Sequence, residues 1–293
     1  MKKTALIMAG GRGERFWPRS RKHMPKQFLS LTDDGKTMIQ LTVERIRPLV
    51  ELEDIYIATN KDYKPLVLEQ LPGIPEENIL CEPIGRNTAP CIGLGAIHIA
   101  KKYEDALMMV LPSDHLIKYN TMFVNTLSEG CAVAEKGANL VTIGITPDYP
   151  ETGYGYIEKG DALASGFAVR RFVEKPAQEA AEAMLAQGGY FWNSGMFVFR
   201  ASQYLAELEA QAPAIMAAVR KAWALRRADY DFIRLHRESF AHCPSDSVDY
   251  ALMEKSAHVA MVPLPCRWSD LGSWKPSTKT ARRMRKAMPA WAM

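Results

Sequence analysis

A glycine-rich loop with basic side chains follows the first apolar segment of this 293-residue chain. The glycines are Gly10, Gly11 and Gly13. The cations are Arg12, Arg15 and, after a proline, Lys26. Glycines let backbone N–H groups approach phosphate oxygens closely, and arginine or lysine adds charge-assisted hydrogen bonds. The loop therefore favours a polyphosphate ligand.

Two familiar nucleotide-binding loops do not fit this segment. The dinucleotide fingerprint G-x-G-x-x-G needs a glycine where Phe16 stands, and the P-loop needs Gly-Lys followed by Ser or Thr, which is absent. On the loop alone, an alternative stays open. The glycines would then make a simple turn, with Arg15 and Lys26 as solvated surface residues.

Strand-length apolar runs alternate with segments of helical period along the first half of the chain. The predicted strands are 4–9, 55–59, 79–81, 106–111 and 140–145, and the predicted helices are 38–50, 63–71, 89–102 and 122–136. This alternation predicts an α/β fold with a mostly parallel central sheet and helices on both faces. Ligands of such sheets bind beyond the carboxyl ends of the strands, where the glycine loop is expected.

The second half has a mixed pattern. Its predicted strands are 153–158, 167–173, 190–200 and 259–268, and its predicted helices are 178–187, 203–211, 214–228 and 248–255. Because no Gly/Ser/Pro-rich linker separates the halves, we expect one mixed sheet and one domain over residues 1–275.

Composition excludes several classes of protein. The chain is 47% hydrophobic and 24% charged with six Trp, which argues against disorder, and it has no apolar run long enough to cross a membrane. Its five Cys show no zinc-ligand spacing, so we expect free thiols and a cytoplasmic location. The net charge of +4 comes from five basic residues in 276–293, which predicts no nucleic-acid partner.

The segment over residues 10–28, read as a whole, resembles the signature of the sugar-1-phosphate nucleotidyltransferases. Its sequence is GGRGERFWPRSRKHMPKQF. Its Phe-Trp-Pro and Pro-Lys-Gln elements are similar to those of the mannose-1-phosphate guanylyltransferase branch. Further motifs follow in the family's order: EPIGRNTAP from residue 82, LPSDH from 111, GYGYIE from 153, FVEKP from 172, WNSGMF from 192, VDYALMEK from 248 and WSDLGSW from 268. The resemblance implies a Rossmann-like nucleotidyltransferase fold.

The reaction implied by this resemblance joins a sugar 1-phosphate to the α-phosphorus of a nucleoside triphosphate and releases pyrophosphate. The attacking phosphate is already anionic at neutral pH, so no general base is needed. Positioning, cations and Mg²⁺ then carry catalysis. By resemblance, Asp114 and Asp270 hold the metal, although each could simply occupy a turn. His115 is expected to have a packing or turn-stabilising role.

The resemblance also assigns the remaining site residues. Arg15, Lys26 and Lys175 are the implied catalytic cations, with Lys175 at the sugar phosphate. Glu174 is assigned to sugar hydroxyls, Gly155 to close backbone approach, and Asn193 to a hydroxyl pair through one donor and one acceptor. Without the resemblance, we would interpret Lys175 as a surface residue and Asn193 as a bulge or turn residue.

Four residues after the third predicted strand are expected near the nucleotide. A carboxylate at Glu82 can accept from guanine N1–H and from its exocyclic amine, which favours GTP. Arg86 and Asn87 accompany it, and Arg86 could instead bind phosphate. Thr88 is placed with them, or else it only caps the following helix.

Relatives continue beyond the Gly-Ser-Trp motif, whereas residues 276–293 match nothing expected. A frameshifted or truncated end is our hypothesis, and a divergent tail is the alternative. The implied activity makes GDP-mannose and pyrophosphate from GTP and α-D-mannose 1-phosphate. Another hexose 1-phosphate or nucleotide, or a non-catalytic sugar-nucleotide-binding protein, stays open, and so does the oligomeric state, a homodimer included.

Overall fold

The computed structural model of the chain describes residues 1–11, 17, 19–229 and 232–271. Its strands are β1 Lys2–Met8, β2 Ile55–Asn60, β3 Ile79–Glu82, β4 Ala106–Pro112, β5 Leu116–Ile117, β6 Leu140–Ile145, β7 Tyr156–Ala162, β8 Phe167–Val173, β9 Tyr190–Arg200, β10 Arg227–Asp229, β11 Phe232–Arg234, β12 Val259–Pro263 and β13 Trp268–Ser269. Its α-helices are α1 Met38–Ile46, α2 Lys64–Gln70, α3 Thr88–Lys102, α4 Asn120–Glu135, α5 Gln178–Gln187, α6 Ala201–Gln211, α7 Pro213–Ala224 and α8 Arg237–Ala241.

Within the described residues, one sheet of eleven strands forms the centre of the fold. Its order is β10-β11-β3-β2-β1-β4-β9-β6-β12-β8-β7, and β7 also pairs with β9. Strands β3, β2, β1 and β4 run parallel, whereas β9 is antiparallel to both β4 and β6. The α/β fold class and the continuous mixed sheet are confirmed. The glycine loop and Asp114 leave the same edge, because β1 and β4 are parallel neighbours.

Helices cover both faces of this sheet. Ala5 and Ile7 of β1 belong to a buried cluster closed by α1, α2 and α4, and Leu6 belongs to a second cluster closed by α3, α6 and α7. The alternation follows the two-residue period of a strand. A Cβ on Gly95 of α3 would lie 2.5 Å from Leu6 Cδ2, so this glycine lets α3 pack closely on β1.

Several predicted elements differ from the structure in extent or type. The helix predicted over 38–50 ends at Ile46, and the strand predicted over 153–158 runs instead over Tyr156–Ala162. The helix predicted over 214–228 ends at Ala224, because the chain then pairs β10 with β11, which itself lies beside β3. The strand predicted over 259–268 is divided into β12 and β13, since Pro263 and Pro265 supply no N–H to a ladder. The helix predicted over 248–255 is a π-helical turn, Asp249–Met253.

The five cysteines are free thiols, as predicted. In the described part of the chain, we find no helix with the length and apolar character needed to span a bilayer.

Candidate active site

A buried amide anchors the glycine loop where it leaves β1. Gln27 Nε2 donates hydrogen bonds to the backbone carbonyls of Ala9, at 3.0 Å, and Gly11, at 2.9 Å. Thr59 Oγ1 donates a further hydrogen bond to Ala9 O at 3.0 Å. Gln27 is only 2% exposed, so its two N–H groups fix the direction in which the loop begins.

The structure describes three of the predicted phosphate-binding residues. Gly10 and Gly11 are exposed beyond β1, and Lys26 is buried. Arg12, Gly13 and Arg15 lie outside the described residues, and their assignment to phosphate stays a prediction.

Antiparallel pairing of two short strands brings the predicted metal ligands together. In this pairing, Leu116 of β5 lies opposite Ser269 of β13, so Asp114 and Asp270 flank the same small ladder. Lys26 links them, because its Nζ lies 3.0 Å from Asp114 Oδ2 and also donates to the backbone carbonyl of Asp270. The N–H of Ser113 also donates to Met8 O at 3.2 Å, so Asp114 and Asp270 lie beside the beginning of the glycine loop at Gly10.

The side chain of Asp270 is held by a tyrosine. Tyr154 donates a hydrogen bond from its hydroxyl to Asp270 Oδ1 at 2.8 Å, and burial together with that carboxylate raises the pKa of Tyr154. The Tyr154 ring packs edge-on against Trp192 and Trp268, each at a centroid distance of 5.3 Å. These contacts fix both the hydroxyl and the loop that carries Asp270.

His115 has the packing role expected of it. Trp268 Nε1 donates to His115 Nδ1 at 3.1 Å, and the two rings lie edge-on at 5.3 Å. Burial lowers the pKa of His115 to about 4, so the ring is neutral at pH 7 and Nδ1 can accept. His115 Nδ1 is therefore already engaged in the hydrogen bond with the Trp268 indole.

Strand register assembles the predicted sugar residues. Tyr156 of β7 pairs with Val173 of β8 and also with Trp192 of β9. The residues next to these three are therefore neighbours. They are Gly155, Glu174 and Asn193.

Glu174 and Lys175 form an ion pair at the end of β8. The Nζ of Lys175 lies 2.8 Å from Glu174 Oε1, and this hydrogen bond is the main cause that raises the pKa of Lys175. The Glu174 side chain is 7% exposed, whereas that of Lys175 is 56% exposed and free to meet a ligand on its solvent side. A Cβ on Gly155 would lie 2.5 Å from Glu174 Oε2, so any larger residue there would displace the Glu174 carboxylate from this position.

Asn193 is tied into the protein at both ends of its amide. Oδ1 accepts from Thr142 Oγ1 at 2.9 Å and from the backbone N–H of Gly195 at 3.2 Å. Nδ2 donates to Asp249 Oδ1 at 2.8 Å. The expectation that Asn193 offers both a donor and an acceptor to a sugar is therefore wrong for the acceptor, because protein groups already occupy both lone pairs.

Glu82 is buried beside the beginning of the glycine loop. A Cβ on Gly10 would lie 3.7 Å from Glu82 Oε2. Glu82 is 8% exposed, and burial raises its pKa to about 8, although a hydrogen bond with Cys91 acts in the opposite direction. Among the described residues, Oε1 is buried and has no hydrogen-bond partner.

The residues that follow Glu82 make structural contacts. Asn87 has φ 68° and is the N-cap of α3, where its side chain accepts from Thr88 N at 2.9 Å. Thr88 is the first helical residue, so the alternative that Thr88 caps this helix is wrong. Its hydroxyl instead accepts from Val248 N at 2.9 Å, and Arg86 donates to the carbonyl of Ala241.

Residues 4–286 match the model of the Nucleotidyl transferase family. The chain belongs to this family. It is 47% identical over 279 residues to the mannose-1-phosphate guanylyltransferase of Escherichia coli strain K12, and 48% identical over 271 residues to the xanthan biosynthesis protein XanB of Xanthomonas campestris pv. campestris strain B100. Each alignment covers 92% of this chain, which spans 58% and 57% of those relatives, somewhat more than half their length.

A solved structure supports the same family for this chain. The mannose-1-phosphate geranyltransferase of Thermus thermophilus is 34% identical, with a TM-score of 0.85. The match covers 99% of this chain and 81% of that one. The family match reaches residue 286, and residues 272–293 lie outside the described residues, so the boundary at 275 and the frameshift hypothesis stay predictions.

The donor set of this site fits Mg²⁺. Asp114 and Asp270 supply carboxylate oxygens, and the described residues contain no group of three acids, histidines or cysteines that would form a protein-only metal cage. Mg²⁺ takes one or two protein carboxylates and completes its shell with water and substrate phosphates, so two carboxylates at the phosphate loop suit it.

Three site residues were missed by the sequence analysis. Gln27 and Tyr154 stand inside the quoted motifs PKQF and GYGYIE, and Asp249 stands inside VDYALMEK, but none received a role. Their partners are distant in the chain, since Tyr154 reaches Asp270 and Asp249 reaches Asn193. The only available signal was their position within a family motif.

Proposed function

We propose that the protein is a mannose-1-phosphate guanylyltransferase. It would transfer GMP from GTP to α-D-mannose 1-phosphate, giving GDP-mannose and pyrophosphate. The observation that carries the proposal is the placement of Glu82, the glycine loop and Asp114 after the parallel strands β3, β1 and β4. This edge can hold a base, a triphosphate and a metal in one line.

In this proposal, the protein positions two anions for in-line reaction. The phosphate of mannose 1-phosphate is already ionised, so the difficulty is charge repulsion and not proton removal. Lys175, at the solvent side of its ion pair, holds the sugar phosphate. Lys26, with Arg12 and Arg15 of the loop, compensates the charge of the triphosphate. Mg²⁺, held by Asp114 and Asp270, would supply further neutralisation of the phosphates.

Base choice is assigned to Glu82. Its buried Oε1 lacks a partner among the described residues, and guanine presents two N–H donors to a carboxylate. Arg86, Asn87 and Thr88 support this subsite through α3, as their protein contacts favour positioning over direct ligation. Cytoplasmic location and a homodimer stay predictions.

The test is pyrophosphate release from purified protein with Mg²⁺, a panel of nucleoside triphosphates and a panel of hexose 1-phosphates. We expect turnover with GTP and mannose 1-phosphate. Turnover with a different pair only would reassign the substrates. No release from folded protein would contradict the enzymatic proposal and leave a sugar-nucleotide-binding protein.

The metal assignment has its own test. Asp114→Ala and Asp270→Ala should each lower turnover far more than they lower the midpoint of thermal unfolding. Asp161→Asn is the matched control, since Asp161 is exposed on β7, far along the strand from the site. Turnover comparable to wild type in either alanine variant would remove that residue from the mechanism.

A further inference from the structure

The hydrogen-bonding capacity of Asn193 is almost used up inside the protein. Both lone pairs of Oδ1 are taken by Thr142 and Gly195, and one of the two N–H groups of Nδ2 is taken by Asp249. Among the described residues, one N–H of Asn193 remains for a ligand. The amide cannot rotate without losing all three bonds, so Asp249 and Thr142 together fix which way this N–H points.

The two carboxylates beside Asn193 can supply the acceptors that its amide oxygen cannot. Glu174 Oε2 is buried and receives no hydrogen bond from the described residues. Asp249 Oδ1 accepts from Asn193, and among the described residues the carboxylate of Asp249 accepts otherwise only from its own backbone N–H. Glu174 Oε2 and Asn193 both lie beside Gly155, and Asp249 is bonded to Asn193, so the two carboxylates and the remaining N–H belong to one cluster. A ligand that meets both carboxylates must donate at least two hydrogen bonds.

The charges of the surrounding side chains determine how such a ligand is oriented. Glu174 and Asp249 are close enough for their charges to interact, and burial together with Glu174 raises the pKa of Asp249 to about 6. Lys175 is the cation that faces both acids, and Tyr250 is a further titratable neighbour of this lysine. The carboxylates repel a phosphate, which is directed to Lys175, while neutral hydroxyls suit the Glu174–Asp249 side.

We propose that Asp249 is a hexose-binding residue that accepts a hydrogen bond from a sugar hydroxyl and holds the Asn193 amide in place. Glu174 and Asp249 would each accept from one of two neighbouring hydroxyls, and Asn193 would donate to one of them. This inference rests on the proposed function for the sugar phosphate and adds a residue to its sugar subsite.

The test combines protein variants with modified sugars. In Asp249→Ala, the KM for mannose 1-phosphate should rise about 10- to 100-fold, the effect of losing a hydrogen bond to a charged group, while the KM for GTP stays within about two-fold. Asp249→Asn, whose amide oxygen can still accept from Asn193, should show the same preference for the sugar with a smaller effect. Asp161→Asn should match wild type in both constants.

Deoxy analogues distinguish direct contact from general damage. With wild type, at least one of the 2-, 3-, 4- and 6-deoxy analogues of mannose 1-phosphate should bind more weakly than the parent sugar. In Asp249→Ala, that same analogue and the parent should bind equally, because the acceptor is gone. Equal losses in wild type and variant for every analogue, or equal increases in the KM for GTP and for the sugar, would overturn the inference.

Direct binding separates this inference from the proposed function. Calorimetric titration of wild type and Asp249→Ala with mannose 1-phosphate needs no turnover. If wild type binds the sugar but releases no pyrophosphate, the enzymatic proposal fails, and the affinity ratio of the two proteins still decides the role of Asp249. If folded wild type binds no hexose 1-phosphate, the inference is overturned as well.

Discussion

Tyr154→Phe removes one hydrogen bond and leaves the packing of the metal site intact. The deleted hydroxyl donates to Asp270 Oδ1 at 2.8 Å. Phenylalanine keeps the ring and hence its edge-on contacts with Trp192 and Trp268. Any effect on the site is therefore an effect on the orientation of the Asp270 carboxylate.

The expected magnitude follows from two independent estimates. A partner that orients a metal ligand is worth about 10- to 100-fold in metal affinity. A hydrogen bond to a charged group contributes about 1.5–3 kcal/mol, which converts to about 10- to 150-fold in a binding constant. We therefore expect Tyr154→Phe to raise the Mg²⁺ concentration at half-maximal rate about 10- to 100-fold. The kcat at saturating Mg²⁺ should stay near that of wild type, because the ligands remain.

The assay is a Mg²⁺ titration of pyrophosphate release at saturating substrates, with Mn²⁺ binding in the presence of GTP measured by electron paramagnetic resonance. Tyr149→Phe is the matched control, since Tyr149 also packs on Trp192, at 4.9 Å, but is 45% exposed and makes no described hydrogen bond to Asp270. If Tyr154→Phe and Tyr149→Phe show the same Mg²⁺ and Mn²⁺ dependence as wild type, Tyr154 does not position the metal ligand.

Three further substitutions test the other subsites. Two guanine N–H groups donate in the proposed pairing, so GTP should bind the ionised form of Glu82, whose pKa is raised by burial to about 8. GTP affinity should therefore rise from pH 6.5 through pH 8 and level off about one pH unit above that pKa. Glu82→Gln should bind GTP more weakly and show no such rise, as measured by calorimetry. Gly155→Ala places a methyl group 2.5 Å from Glu174 Oε2. The KM for the sugar phosphate should therefore rise, and the free energy of unfolding should fall by about 1–3 kcal/mol. An unchanged KM would show that Glu174 can move aside. Gln27→Met removes both hydrogen bonds to the loop and should lower the free energy of urea unfolding by about 1–3 kcal/mol. It should also raise the KM for GTP more than the KM for the sugar phosphate. A loss of stability with both KM values unchanged would limit Gln27 to a structural role.

The local sequence pattern was sufficient to predict the strands that position the glycine loop and Asp114. The apolar run of β1 is buried on both faces, and the same holds for β4, so strand type and the loops that follow were predictable without tertiary information. The parallel arrangement then places Asp114 next to the glycine loop. The errors fall where long-range pairing overrides helical pattern, as in β10 after α7.

The proposed sugar subsite depends on strand register, which local sequence does not encode. One β-bulge between Thr142 and Gly144 shifts the pairing of β6 with β9, so that Gly144 lies opposite Asn193 and the Thr142 hydroxyl reaches its amide. A slip of one residue would turn Asn193 to the other face of the sheet and separate it from Asp249. The type of residue at 193 therefore indicated hydrogen bonding, but only the three-dimensional pairing determines that its acceptor is used by the protein. An Asp249→Ala variant with altered sugar selectivity would mean that Asp249, and not Asn193 alone, selects the sugar.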